Sequence, residues 1–142
     1  MNRFMKISLV LLLSLLPFLG FAQKLDKPFK GHFYNKKMNI HLQLDAYDTS
    51  LTVPSYEFLG TTHGYMHGNI YGIWLITRTK IKDNVAHLRL SNDLGADAQS
   101  IELTLLNDDT LHYNAIGGND IKRIEKRKLV KISSDFILVR QK

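Results

Sequence analysis

The chain has 142 residues, no cysteine, and 19 basic against 13 acidic residues, a formal net charge of +6. That length fits one domain once any leader is set aside. The missing cysteines exclude disulfides, thiol catalysis, thiolate metal sites and lipidation at a cysteine.

Residues 1–22 read as a cleavable leader. Arg3 and Lys6 form a cationic start, an apolar run follows from Ile7, Pro17 ends any helix, and Gly20 and Ala22 are the small residues a signal peptidase accepts. Cleavage is expected between Ala22 and Gln23. The run falls short of the about 20 apolar residues that a spanning helix needs, so no membrane span is expected after cleavage. An exported, cysteine-free chain suits a bacterial periplasm or secretion. Residues 23–142 are then one domain.

Along that domain the dominant signal is alternation. Met38, Ile40, Leu42, Leu44 and Ala46 alternate with Asn39, His41, Gln43 and Asp45, which predicts a strand with one face on a core and one in water. Ile70, Gly72, Trp74 and Ile76 fall on one face of a second strand and Tyr71, Ile73, Leu75 and Thr77 on the other. Neither face is polar, so both are expected to be covered. Ala86, Leu88 and Leu90 mark a further strand, and Ile101, Leu103 and Leu105 another. Asn, Asp, Ser and Gly cluster between the runs, at 47–50, 82–84, 92–95, 107–110, 117–120 and 133–135, where turns need their local hydrogen bonding or positive φ. Near the C-terminus, the spacing of Ile121, Ile124, Leu129 and Ile132 fits a short helix capped by Asn119 or a lysine-rich edge strand. The whole pattern predicts an all-β domain, an antiparallel meander of about eight strands closing into a barrel or sandwich, with at most one short helix near the C-terminus.

The stretch THGYMHGNIYGIW, residues 62–74, raises the question of a metal. On a continuous strand His63 and His67 stand about 13 Å apart at ~3.3 Å per residue, too far to share an ion. A three-residue hairpin loop at Gly64, Tyr65 and Met66 would bring their Cβ atoms to about 5 Å. Zinc would need a third ligand, and no spacing nominates His41, His87 or His112. The simpler expectation is that Gly64 and Gly68 shape a corner of the sheet. No cofactor is expected.

Nucleophilic catalysis has no handle, since neither a G-x-S-x-G elbow nor a cysteine occurs. Asp108 and Asp109 fit a hairpin turn, and Asp93 to Asp97 matches only a fragment of a calcium loop. Paired acids brought together by separate strands would leave no linear trace. Lys122, Arg123, Lys126, Arg127, Lys128 and Lys131 crowd the C-terminal region, with Glu125 the one acid among them. They form either a solvated edge or a docking patch for an anionic protein partner or envelope surface. No nucleic-acid motif accompanies them.

An exported chain of successive hairpins carrying Gly72-Ile73-Trp74 resembles the lipocalin-like (calycin) barrels, whose G-x-W triplet marks the strand that closes the barrel. Here the triplet lies well inside the mature chain rather than on its first strand. The leader and composition are similar to those of small exported proteins of Bacteroidota. The resemblance implies a barrel whose interior holds a small apolar ligand, with Tyr71, Trp74 and Tyr113 as candidate walls. The expected function is therefore non-enzymatic binding of a small apolar ligand or an envelope component. An exported inhibitor or immunity-type protein that binds another protein through its surface is the alternative, and a hydrolase with a His- or carboxylate-based site the third.

Overall fold

The computed structural model describes residues 26–142. The leader expected over residues 1–22 and its cleavage site lie outside them.

Eight strands form a closed antiparallel barrel, taken consecutively along the chain: β1 (Lys30–Asn35), β2 (Ile40–Asp45), β5 (Gly64–Gly68), β6 (Trp74–Lys82), β7 (Val85–Asn92), β8 (Ala98–Asn107), β9 (Thr110–Gly118) and β12 (Asp135–Arg140), with β12 returning to β1. Two small ribbons interrupt this meander. One joins β3 (Leu51–Thr52) to β4 (Thr61–Thr62), and the other joins β10 (Lys122–Glu125) to β11 (Lys128–Lys131). Closure leaves the main sheet without an open edge.

The period-2 pattern decides which side chains enter. Phe33, Leu42, Met66, Ile76, Leu88, Ile101, Leu111 and Leu138 all point inward and belong to one continuous buried cluster. An eight-stranded barrel is just wide enough for its own side chains to fill, and each fully buried leucine or isoleucine contributes about 1.5–3 kcal/mol. Tyr113 sits in this interior, where its hydroxyl donates to Gln99 Oε1 at 2.7 Å. Gln99 in turn donates to the Asn119 carbonyl at 2.9 Å. Burial pushes the Tyr113 hydroxyl up, which keeps it a neutral donor.

One polar position departs from the alternation. Asp45 ends β2 and is buried rather than wet, because its carboxylate turns back to hold the following turn. It accepts from the amides of Tyr47 and Asp48, each at 3.1 Å, and from the Ser50 hydroxyl at 2.5 Å. Burial pushes this carboxyl up, but Ser50, the two amides and Lys30 together outweigh it and hold it below its ordinary range.

One expectation needs correction and one open alternative is decided. Residues 70–73 are not strand: β6 begins at Trp74, and 69–73 form the connection from β5, which must reverse direction within five residues. Ile70 and Ile73 are apolar because they are half-buried loop residues, not because a sheet is covered twice. The C-terminal segment resolves in favour of the strand alternative. Ile121 and Ile132 are buried at the base of the β10–β11 hairpin while Ile124 and Leu129 are exposed on it, and this mixture imitates a helical spacing. The sole helical element among the described residues is a 3₁₀ turn at Glu57–Leu59. No helix there is long and apolar enough to cross a membrane.

Candidate functional site

The turns at the start of β2, β6, β8 and β12 all lie at one end of the barrel, and the β10–β11 hairpin lies across it. The amide of Tyr71 donates to the Lys122 carbonyl at 2.7 Å, fastening the hairpin to the β5–β6 connection. Between the hairpin and the β7–β8 loop opens a cleft of about 570 Å³. Tyr71 and Trp74 line it together with Asp93, Asp97, Asp120 and Lys122.

Each wall has a local cause. Trp74 enters the barrel as the first residue of β6 and is 3 % exposed, yet its indole N–H, fully shielded from solvent, has no acceptor. An unpaired buried donor costs about 1–3 kcal/mol. Asp97 is placed by Asn92, whose side chain accepts from the Asp97 amide at 3.1 Å and whose own amide donates to the Asp97 carbonyl at 3.0 Å. Asp93 accepts from the Tyr56 hydroxyl at 2.7 Å. That contact pushes the Tyr56 hydroxyl up. The glycine of the Gly72-Ile73-Trp74 triplet also has a local explanation. Its φ is +79°, and a Cβ there would sit 2.9 Å from Asp93 Oδ1, so Gly72 lets the carboxylate lie against the loop.

Of the aromatic residues expected as ligand walls, Tyr71 and Trp74 therefore share the cleft, and Tyr113 does not. It lies inside the barrel, where its hydroxyl is already paired with Gln99. The five basic residues expected to form a docking patch are all on the β10–β11 hairpin: Lys122 and Arg123 in its first strand, Lys126 and Arg127 at the turn, Lys128 in its second. Asp93, Asp97 and Asp120 were not expected, since they come from two separate loops.

The hairpin geometry that would let His63 and His67 share an ion does not form. Residues 64–68 are one continuous strand paired to β2 and β6, so the two histidines stand a strand length apart. His63 Nδ1 lies 3.0 Å from the Asp45 carbonyl and must donate to it, because a carbonyl only accepts. His67 instead meets residues from neighbouring strands on the outer face. It stacks on His41 with ring centroids 4.8 Å apart and planes within 13°. His41 Nδ1 lies 2.8 Å from His32 Nε2, and Tyr34 and Tyr65 flank the group. Imidazole lone pairs lie in the ring plane, so near-parallel stacked rings do not converge on one ion. Among the described residues no group of three His, Cys, Asp or Glu is arranged to hold a metal.

This histidine stack makes stability sensitive to acid. Burial, then His41, hold His32 below its ordinary value of 6.5, and burial, then His41 and His32, do the same for His67. Below pH 6.5 the unfolded chain therefore binds more protons than the folded one. The stabilisation present above that pH is lost as pH falls through the lower folded-state values. The denaturant midpoint is expected to drop between about pH 8 and about pH 5. In His67→Gln most of that drop should vanish; an unchanged slope would show that the stack does not carry it.

No protein-family model, curated protein or solved structure matches the chain. The architecture defines it as a closed eight-stranded antiparallel β-barrel.

Proposed function

We propose that this protein is an exported, non-enzymatic binding module that takes a hydroxyl-rich envelope component, a saccharide, in the cleft at the hairpin-covered end of the barrel. The observation that carries this reading is the juxtaposition of Tyr71, Trp74 and the acidic residues Asp93 and Asp97 around one cleft. A sugar ring offers an apolar C–H face for an aromatic side chain and hydroxyls that donate to carboxylates. The consecutive strand order supports the lipocalin-like resemblance. The packed interior moves the site away from that family's cavity, because the space inside the strands is taken by Phe33, Leu42, Met66, Leu103 and their neighbours.

Trp74 is the only tryptophan, so its emission reports on the cleft directly. Titration with oligosaccharides released from envelope polysaccharide is expected to shift that emission saturably. Asp97→Asn should weaken binding roughly tenfold, the low end for a hydrogen bond to a charged group. Emission that ignores oligosaccharides but responds to a fatty acid would overturn the saccharide reading. New reducing ends appearing during the titration would move the protein to the hydrolase class.

A further inference from the structure

The β10–β11 hairpin carries an exposed apolar pair that the cleft accounts for only in part, since Leu129 and Lys122 border the cleft and Ile124 and the turn residues do not. Ile124 and Leu129 are cross-strand partners, 57 % and 52 % exposed. On the same face the next pair is Lys122 opposite Lys131, and Lys126, Arg127 and Lys128 surround the tip. An apolar pair is thus ringed by long cationic side chains.

Two features of this hairpin lower its own stability. Like charges directly opposite one another repel, and Lys122 faces Lys131 with only Asp120, 3.4 Å from Lys131, in partial compensation. The two turn residues, Lys126 at φ 49° and Arg127 at φ 65°, occupy the left-handed region that such turns normally give to Asn and Gly. The Lys122–Lys131 pair is at the base of the hairpin and the Lys126–Arg127 turn at its tip, so an external anion meeting the tip would offset the charge gathered at the turn.

We propose that this hairpin docks the protein on an anionic lipid surface, with Ile124 and Leu129 entering the headgroup boundary and the surrounding lysines and Arg127 meeting phosphates. Size decides for lipid over an acidic protein. A stable protein interface takes about 800 Å² and roughly 20–30 residues from each side, whereas a ten-residue finger presents a tip. A lipid surface accepts a tip alone, since long cationic stems lie along the apolar boundary while their heads stay in water. Such docking would bring the cleft, which Leu129 and Lys122 border, close to the envelope surface.

The test is co-sedimentation of the full chain, after leader removal, with vesicles rich in phosphatidylglycerol and with vesicles of phosphatidylcholine alone. Binding is expected on the first and not the second, falling as salt rises. Lys126→Ala with Arg127→Ala should lower the partition coefficient about thirtyfold, from the usual contribution of two basic residues at a charged membrane. Ile124→Ser should lower it too while leaving salt dependence intact. None of these three residues lines the cleft, so oligosaccharide binding read by Trp74 emission should stay unchanged and also confirms that the variants fold. Equal binding to both vesicle types, binding to neither, or binding that survives the hairpin variants would overturn the proposal; binding to neither, with capture by an acidic protein, would assign the hairpin to a protein partner.

Discussion

Gly64→Ala is expected to abolish folding. Gly64 opens β5 at φ +140°, a conformation that side-chain-bearing residues rarely adopt, and it is fully enclosed. A Cβ there would overlap the carbonyl oxygen of Gln43 on β2, and Ile76 Cδ1 would stand 3.1 Å away. The first obstacle is backbone held in the barrel ladder, since Leu44 is paired with Gly64 and Gln43 with Tyr65. Relief would therefore require β2 and β5 to separate at the point where the chain re-enters the barrel. A cost above ~4–5 kcal/mol is exceptional for one substitution, yet strain combined with backbone overlap belongs to that class. Against a total stability of about 5–15 kcal/mol it removes most or all of the margin. The measurement is soluble yield and the urea midpoint beside Gly117→Ala, where an added Cβ meets nothing within 4 Å and φ is ordinary. Gly117→Ala should change little. A Gly64→Ala protein with the parental midpoint would show that the close approach of β2 and β5 is not real.

Gly64 also shows how far the sequence can be read. A glycine after His63 announces a special backbone position, and φ at Gly64 is +140°, but Gly64 and Gly68 bound one continuous strand rather than a corner between them. The identity of the strand lying against Gly64 was not legible, because β2 and β5 are separated by the 51–62 excursion, whose length does not set a register. The same gap hid the histidine stack. His41 and His67 are opposite one another only through the β2–β5 pairing, and His32 joins through β1. Strands joined by short turns were easier. Alternation at Ile40 to Leu44, Ala86 to Leu90 and Ile101 to Leu105 gave both the element and its inward face.

The cleft was half legible for a related reason. Tyr71, Trp74 and Tyr113 all carry aromatic surface, and nothing in the linear chain separates the two that line the cleft from the one that fills the barrel. Asp93 and Asp97 were recognisable only as turn residues, because a carboxylate that shapes a loop and one that lines a cleft look alike in a linear chain. Asp120, two residues before the hairpin, gave no signal either. What joins Asp93 and Asp97 to Trp74 is the β6–β7 hairpin, which pairs Trp74 with Asn92 and so brings the β7–β8 loop beside the strand that begins at Trp74.

Closure of the barrel, between β1 and β12, rests on few contacts, and one side chain dominates them. In β1 and β12 only Phe33 opposite Arg140 and Tyr34 opposite Val139 are in register, fewer pairs than between any other barrel neighbours except β5 and β6. The Arg140 guanidinium makes up the difference. It donates to the carbonyls of Lys30, Pro28 at 2.8 Å and Asp108 at 3.2 Å, covers the Phe33 ring at 4.6 Å, and stands 3.5 Å from the Asp109 carboxylate. Its side chain is only 15 % exposed, so these contacts are weakly screened. One planar fork thus ties the first strand, the segment before it and the β8–β9 turn to the last strand. Arg140→Ala is expected to cost about 2–4 kcal/mol, combining charge-assisted hydrogen bonds, each worth about 1.5–3, with the cation–π contact, less what water restores at the exposed carbonyls. Arg140→Lys should recover less than half, because an ammonium keeps the charge without the geometry that reaches three carbonyls at once. Urea unfolding of the two variants measures this, and hydrogen exchange locates it: amides of β1 and β12 should lose protection before those of β7 and β8. A lysine variant as stable as the parent would show that charge alone holds the seam, and uniform loss of protection would show that the barrel opens as a unit rather than at this edge.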